Sequence, residues 1–143
     1  SRFVARLTGT ENLFKAAVTD RTAEGAIVRS GGVRFRTTTS GVSASAVTVC
    51  IHPSRVAIEA PYAVDGDRKA NVLAGRVVRW LNEGSEYRVD IEIGSGSLAL
   101  TASVRPPTFE RLSLEVGSEV RALIPETSIH LIPEGERCGS SAC

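Results

Sequence analysis

Asn12-Leu13-Phe14-Lys15-Ala16-Ala17-Val18 returns later in the chain as Asn71-Val72-Leu73-Ala74-Gly75-Arg76-Val77. A second phrase behaves in the same way. Ser45-x-Val47-x-x-x-Ile51 followed by Val56-x-Ile58 returns as Ser118-x-Val120-x-x-x-Ile124 followed by Ile129-x-Leu131. The spacing inside the two copies is identical. Self-similarity of this kind means that one supersecondary unit is used twice. A unit this short buries little apolar surface alone, so the two copies are expected to support each other or a second chain. The repeat therefore directs attention to the surfaces between units rather than to one residue cluster.

Around the repeated phrases the dominant signal is alternation. Val33 and Phe35 alternate with Arg34 and Arg36, and Tyr87, Val89, Ile91 and Ile93 with Arg88, Asp90 and Glu92. Leu98, Leu100, Ala102 and Val104 alternate with small or polar residues. A period of two describes strands with one buried face. Gly31-Gly32, Asn82-Glu83-Gly84 and Gly94-Ser95-Gly96 separate these runs as hairpin turns. One stretch departs from the pattern. Pro106-Pro107-Thr108-Phe109-Glu110-Arg111-Leu112 carries a helix-start proline and spaced apolar residues, which predicts a helix of one or two turns. Five short strands with a small helix between the third and fourth describe an OB-type barrel. The expected fold is all-β, two tandem OB-type barrels with one short helix in the second. The first unit spans residues 1–60, a linker 61–69, the second unit 70–133, and a Gly/Ser-containing tail 134–143.

Composition narrows the function classes. The 143 residues carry 17 Lys+Arg against 16 Asp+Glu, a net charge of +1. That balance argues against a broad electrostatic footprint for nucleic acid. Aromatic residues are also too sparse for a base-stacking surface. No apolar run suggests a signal peptide or membrane insertion. Of the three cysteines, Cys50 falls in an apolar strand pattern and reads as a small buried hydrophobe. Cys138 and Cys143 lie in the tail, where they suit a disulfide, a metal or simple exposure. The expected compartment is reducing and cytoplasmic.

Three stretches together resemble a known family. They are Asn71-Val72-Leu73-Ala74-Gly75-Arg76-Val77-Val78, then Leu114-x-x-Gly117-Ser118-x-Val120-x-Ala122-x-Ile124, then Ser128-Ile129-His130-Leu131-Ile132. In order and spacing they are similar to the molybdate/tungstate-binding Mop domain, within the wider transport-associated OB (TOBE) class. Phe3-Val4-Ala5-Arg6-Leu7-Thr8-Gly9-Thr10-Glu11-Asn12 resembles the junction where an ABC-importer ATPase domain passes into its regulatory domain. Val49-Cys50-Ile51-His52-Pro53 resembles that class's Ile-Arg-Pro-Glu strand end. The chain contains no Gly-x-x-x-x-Gly-Lys-Ser/Thr phosphate loop. The resemblance therefore implies a non-enzymatic regulatory piece of an importer ATP-binding subunit. Its implied partners are a second copy, the ATPase domain and, through it, a membrane permease. It would sit in the cytoplasm at the inner face of the membrane.

The resemblance also implies an oxyanion site between OB units, with no other cofactor required. Tetrahedral dianions favour many short donors, which amides and hydroxyls supply. The family segment Ser-Ala-Arg-Asn corresponds to Arg68-Lys69-Ala70-Asn71, and Lys-Ala-Thr/Ser-Ser to Pro125-Glu126-Thr127-Ser128. The implied site residues are Arg68, Lys69, Asn71, Thr127 and Ser128. Pro125 replaces the family lysine, and Glu126 adds a carboxylate that opposes a dianion. Asn71, Thr127 and Ser128 equally suit turn and strand-cap roles. Arg34, Arg36, Arg76 and Arg79 are candidates for a basic stripe. His52 reads as a turn residue, and His130, between Ile129 and Leu131, has no second ligand at useful spacing. Two further functional readings stay open. One is the regulatory domain of a sugar or other solute importer that binds no anion. The other is a freestanding molybdate/tungstate-binding protein.

Overall fold

Each copy of the first repeated phrase opens one long antiparallel strand, which continues beyond the phrase over a bulge. The computed structural model describes residues 12–62, 69–94, 96 and 98–133. Arg68, the stretch before Asn12, and Cys138 and Cys143 lie outside the described residues. The strands are β1 (Asn12–Thr22), β2 (Gly25–Ser30), β3 (Val33–Thr37), β4 (Ala46–Ile51), β5 (Ala57–Glu59), β6 (Ala70–Asn82), β7 (Tyr87–Ile93), β8 (Leu98–Val104), β9 (Glu119–Pro125) and β10 (His130–Pro133). Among the described residues one α-helix, α1 (Pro106–Leu112), lies between β8 and β9. One-turn 3-10 segments, Pro53–Arg55 and Glu126–Ser128, precede β5 and β10.

The strands form two five-stranded sheets in the orders β10-β4-β1-β2-β3 and β5-β9-β6-β7-β8. Their registers repeat residue for residue. Ala17 faces Arg29 in the first sheet, and Arg76 faces Glu92 in the second. Both long strands shift register at the same point, between Val18 and Asp20 and between Val77 and Arg79. Asn12 thus occupies the place of Asn71, Val47 that of Val120, and Arg36 that of Thr101. The architecture is two tandem OB-type barrels, and among the described residues the short helix lies in the second, as the repeat predicts.

The last strand of each repeat crosses to the other sheet. β10 pairs with β4, His130 opposite Cys50, while β5 pairs with β9, Ala57 opposite Leu123. The exchange is reciprocal and obeys the same pseudo-twofold relation. The sequence repeats at 1–60 and 70–133 are therefore not the units of the sheets. Without the exchange, the outer edges of β4 and β9 would present unpaired N–H and C=O groups. Buried side chains of both sheets form one continuous core, from Phe14 and Phe35 to Ile124 and Leu131.

The barrels differ most where the helix is inserted. In the second, Phe109 of α1 stacks on Tyr87 with ring centroids 3.8 Å apart, and Trp80 stands edge-on to both. In the first, Arg21 occupies the place of Trp80. Its guanidinium donates to the carbonyls of Val42, Ser43 and Ala44 and so fastens the segment between β3 and β4. One residue position thus secures an aromatic helix in one copy and a helix-free loop in the other. Gly75 is a packing requirement. A Cβ there would lie 2.6 Å from Ile91 Cγ2 and 3.0 Å from the Glu92 carbonyl.

Candidate functional site at the seams between the barrels

The pseudo-twofold relation creates two seams, each closed by an asparagine. Asn12 Oδ1 accepts from the Thr101 N–H at 2.8 Å, and its Nδ2 donates to the Thr101 carbonyl at 2.9 Å. Asn71 Oδ1 accepts from the Arg36 N–H at 2.7 Å, and its Nδ2 donates to the carbonyls of Arg36 at 2.9 Å and Ile124 at 3.3 Å. Each amide imitates a strand neighbour for the edge strand of the opposite sheet. Both side chains are buried. A buried polar group with its partners satisfied fixes a unique arrangement, because any slip leaves it unpaired.

This corrects one sequence expectation. The Asn71 amide was expected to donate to an anion, yet both of its N–H groups are already given to backbone carbonyls. Its role is to hold β3 against β6. The expected basic stripe also divides. Arg34 and Arg36 lie on β3, whereas Arg76 and Arg79 lie on β6 of the other sheet, paired with Glu119 and Asp90.

At the Asn71 seam the backbone of Lys69 lies beside the turn that carries Thr127 and Ser128. The Lys69 carbonyl accepts from the Glu126 N–H at 3.3 Å, which brings the start of β6 to the 3-10 turn carrying Thr127 and Ser128. The Glu126 carbonyl accepts from the Thr38 N–H at 3.2 Å. The hydroxyls of Thr37 and Thr39 both donate to the Ile129 carbonyl. The first barrel thereby contributes its 36–39 segment to a place otherwise built by the second. Lys69 and Thr127 are exposed and Ser128 is half-buried. Among the described residues, none of these three side chains is held by a hydrogen bond or ion pair. Arg36 Nε lies 3.4 Å from Glu126 Oε2, with the Glu126 side chain only 19% exposed.

Arg36 was legible only as a surface cation. Its membership of this seam follows from the strand exchange, which brings residue 126 beside residue 36. The twofold-related seam has a different chemistry. Thr101 stands in place of Arg36, and Pro53 in place of Glu126. The 3-10 turn there is capped by His52, whose Nδ1 accepts from the Ser54 N–H at 3.1 Å, as its reading as a turn residue anticipates. His130 is exposed on β10. Among the described residues, no group of three or more His, Cys, Asp or Glu side chains is placed to hold a metal ion.

Residues 69–131 match the TOBE domain family. No curated protein matches the sequence. Among solved structures, the chain is similar to the cytoplasmic molybdate-binding protein ModG in a form with molybdate bound. The TM-score is 0.73 at 19% identity, over 85% of this chain and 95% of that one. At that identity the likeness is one of fold. Residues 69–131 are thus TOBE-like, and the described residues have the tandem OB build.

Proposed function

We propose that this TOBE-bearing pair of barrels is an oxyanion-sensing regulatory domain of an ABC-importer ATP-binding subunit, of the molybdate/tungstate kind. The observation that carries the reading is the Asn71 seam. There the backbone of Lys69 bonds the turn that carries Thr127 and Ser128, in a fold shared with a molybdate-bound protein, and this supports a site built from one ammonium group and two hydroxyls. An ammonium and hydroxyls suit a tetrahedral dianion, since charge-assisted bonds are the strong ones. Arg68, next to Lys69 in sequence, would add a second cation.

The domain acts without catalysis. Two copies would associate through their barrels, each attached to an ATPase motor in the cytoplasm beside its permease. Cytosolic oxyanion would favour one spacing of the two motors, and linkage requires that it bind that spacing more tightly than the other. Among the described residues, no helix is long and apolar enough to cross a membrane. Two alternatives have specific support. The Glu126 carboxylate beside Arg36 suits a solute-importer domain that binds no anion. The 95% coverage of ModG suits a freestanding binding protein.

Thermal unfolding with added anion tests the reading. A ligand present at a hundred times its Kd stabilises the native state by about 2.7 kcal/mol. Molybdate and tungstate should therefore raise the melting temperature by several degrees, and sulfate by less. No shift with any of the three would reject the oxyanion assignment, and equal shifts with all three would reject its molybdate/tungstate kind. Sedimentation at micromolar concentration tests the pairing, with a dimer expected.

A further inference from the structure

Resting on the oxyanion reading above, we propose that Arg36 is the principal cation of the site and that the Glu126 carboxylate occupies it as an internal stand-in for the ligand. An oxyanion would then enter by displacing a carboxylate rather than by filling an empty place.

Three observations carry this. First, the Arg36–Glu126 contact is absent by residue type from the twofold-related seam, where Thr101 and Pro53 hold the corresponding positions. That seam is clasped by Asn12 on Thr101 with no charged pair at the corresponding positions, so the fold does not need one. Second, the bases of both side chains are fixed. Asn71 binds the Arg36 N–H and carbonyl, and Glu126 is bound through its N–H to Lys69 and through its carbonyl to Thr38. The guanidinium and the carboxylate therefore start from held backbone, and Glu126 opens the 3-10 turn that also carries Thr127 and Ser128. Third, the contact is weak enough to exchange. It is 3.4 Å long, and the Arg36 side chain is 61% exposed. Pairs of this kind contribute little net stability. A tetrahedral dianion brings more charge and more acceptor oxygens than one carboxylate, and the guanidinium fork suits two of them.

The arrangement compensates for two departures noted in the sequence. Pro125 stands where the family carries lysine, and Arg36 supplies a cation at that place from the opposite barrel. Glu126 then acts as a threshold: it lowers affinity for every anion while leaving the cation in position.

Calorimetry of the full chain with sodium molybdate and sodium tungstate, with sodium sulfate as comparison, tests this on five variants. Glu126→Gln removes the competing charge and should tighten binding about five- to tenfold. Arg36→Gln should weaken it about tenfold or more, the worth of one charge-assisted bond. In the Arg36→Gln/Glu126→Gln double variant the gain from Glu126→Gln should vanish, which a merely structural role would not produce. Arg29→Gln, on the exposed face of β2, should leave affinity within twofold. Melting without anion checks that each variant folds, and Arg36→Lys, which keeps the charge but not the fork, should bind with intermediate affinity. Wild-type binding unchanged by Arg36→Gln or Glu126→Gln overturns this proposal alone, as does an equal loss in Arg29→Gln. Absence of binding in the wild type and in Glu126→Gln overturns the oxyanion reading with it.

Discussion

Replacing Asn71 by alanine should destabilise the fold far more than its place at a strand start suggests. The side chain is buried and makes three hydrogen bonds, two to Arg36 and one to Ile124. A protein hydrogen bond contributes about 0.5–1.5 kcal/mol net, so three give roughly 1.5–4.5 kcal/mol. On its other side Arg36 already pairs with Ile27, so the strand cannot turn to find new partners. Water entering the seam would offset part of the loss, which leaves about 3 kcal/mol. Asn12→Ala breaks two bonds to Thr101 and should cost about 2 kcal/mol by the same reasoning. Equilibrium urea unfolding reads both, with an unchanged m-value showing that the comparison is one of stability. The two sites share no partner, so the costs should add within about 0.5 kcal/mol in the double variant. Asn71→Asp keeps the acceptor, loses both donors and buries a charge, and should be at least as harmful. Asn71→Ala within 0.5 kcal/mol of wild type, combined with lost anion binding, would refute the clasp and restore the amide as a ligand.

Other substitutions probe other parts of the account. Gly75→Ala forces a Cβ against Ile91 and the Glu92 carbonyl, and overpacking of this kind should cost about 1–3 kcal/mol in urea unfolding. Phe109→Ala removes the stacked partner of Tyr87 and should cost about 3–5 kcal/mol, with a marked change in Trp80 fluorescence. Arg21→Ala releases the carbonyls of Val42, Ser43 and Ala44. Amide exchange should then quicken in the loop between β3 and β4 and stay unchanged around α1.

Much of this architecture is written locally in the chain. Val33 and Phe35 face inward and Arg34 and Arg36 outward because a strand alternates its side chains, and α1 spans the stretch that breaks that rule. The partner of β5 is not written locally. Ile58 and Leu131 sit in identical patterns, and by symmetry each strand would fit the edge of β4 or of β9. Each strand crosses after a 3-10 turn that ends on a buried residue, Val56 or Ile129. The same step hid the role of Asn71. Its partner Arg36 is 35 residues away in the other repeat, so the amide looked free for a ligand. Lys69, Thr127 and Ser128 are marked as candidates by the family resemblance alone, beside the recurring phrases and not within them. Arg36 had no such mark, since Thr101 takes its place in the second copy.

The central claim is that the Asn71 seam binds a tetrahedral oxyanion. Isothermal calorimetry of the wild-type chain with molybdate tests it most directly. The account predicts saturable binding that tungstate displaces and that sulfate displaces only at much higher concentration. No heat of binding at millimolar molybdate or tungstate, with the chain folded and dimeric, would contradict it.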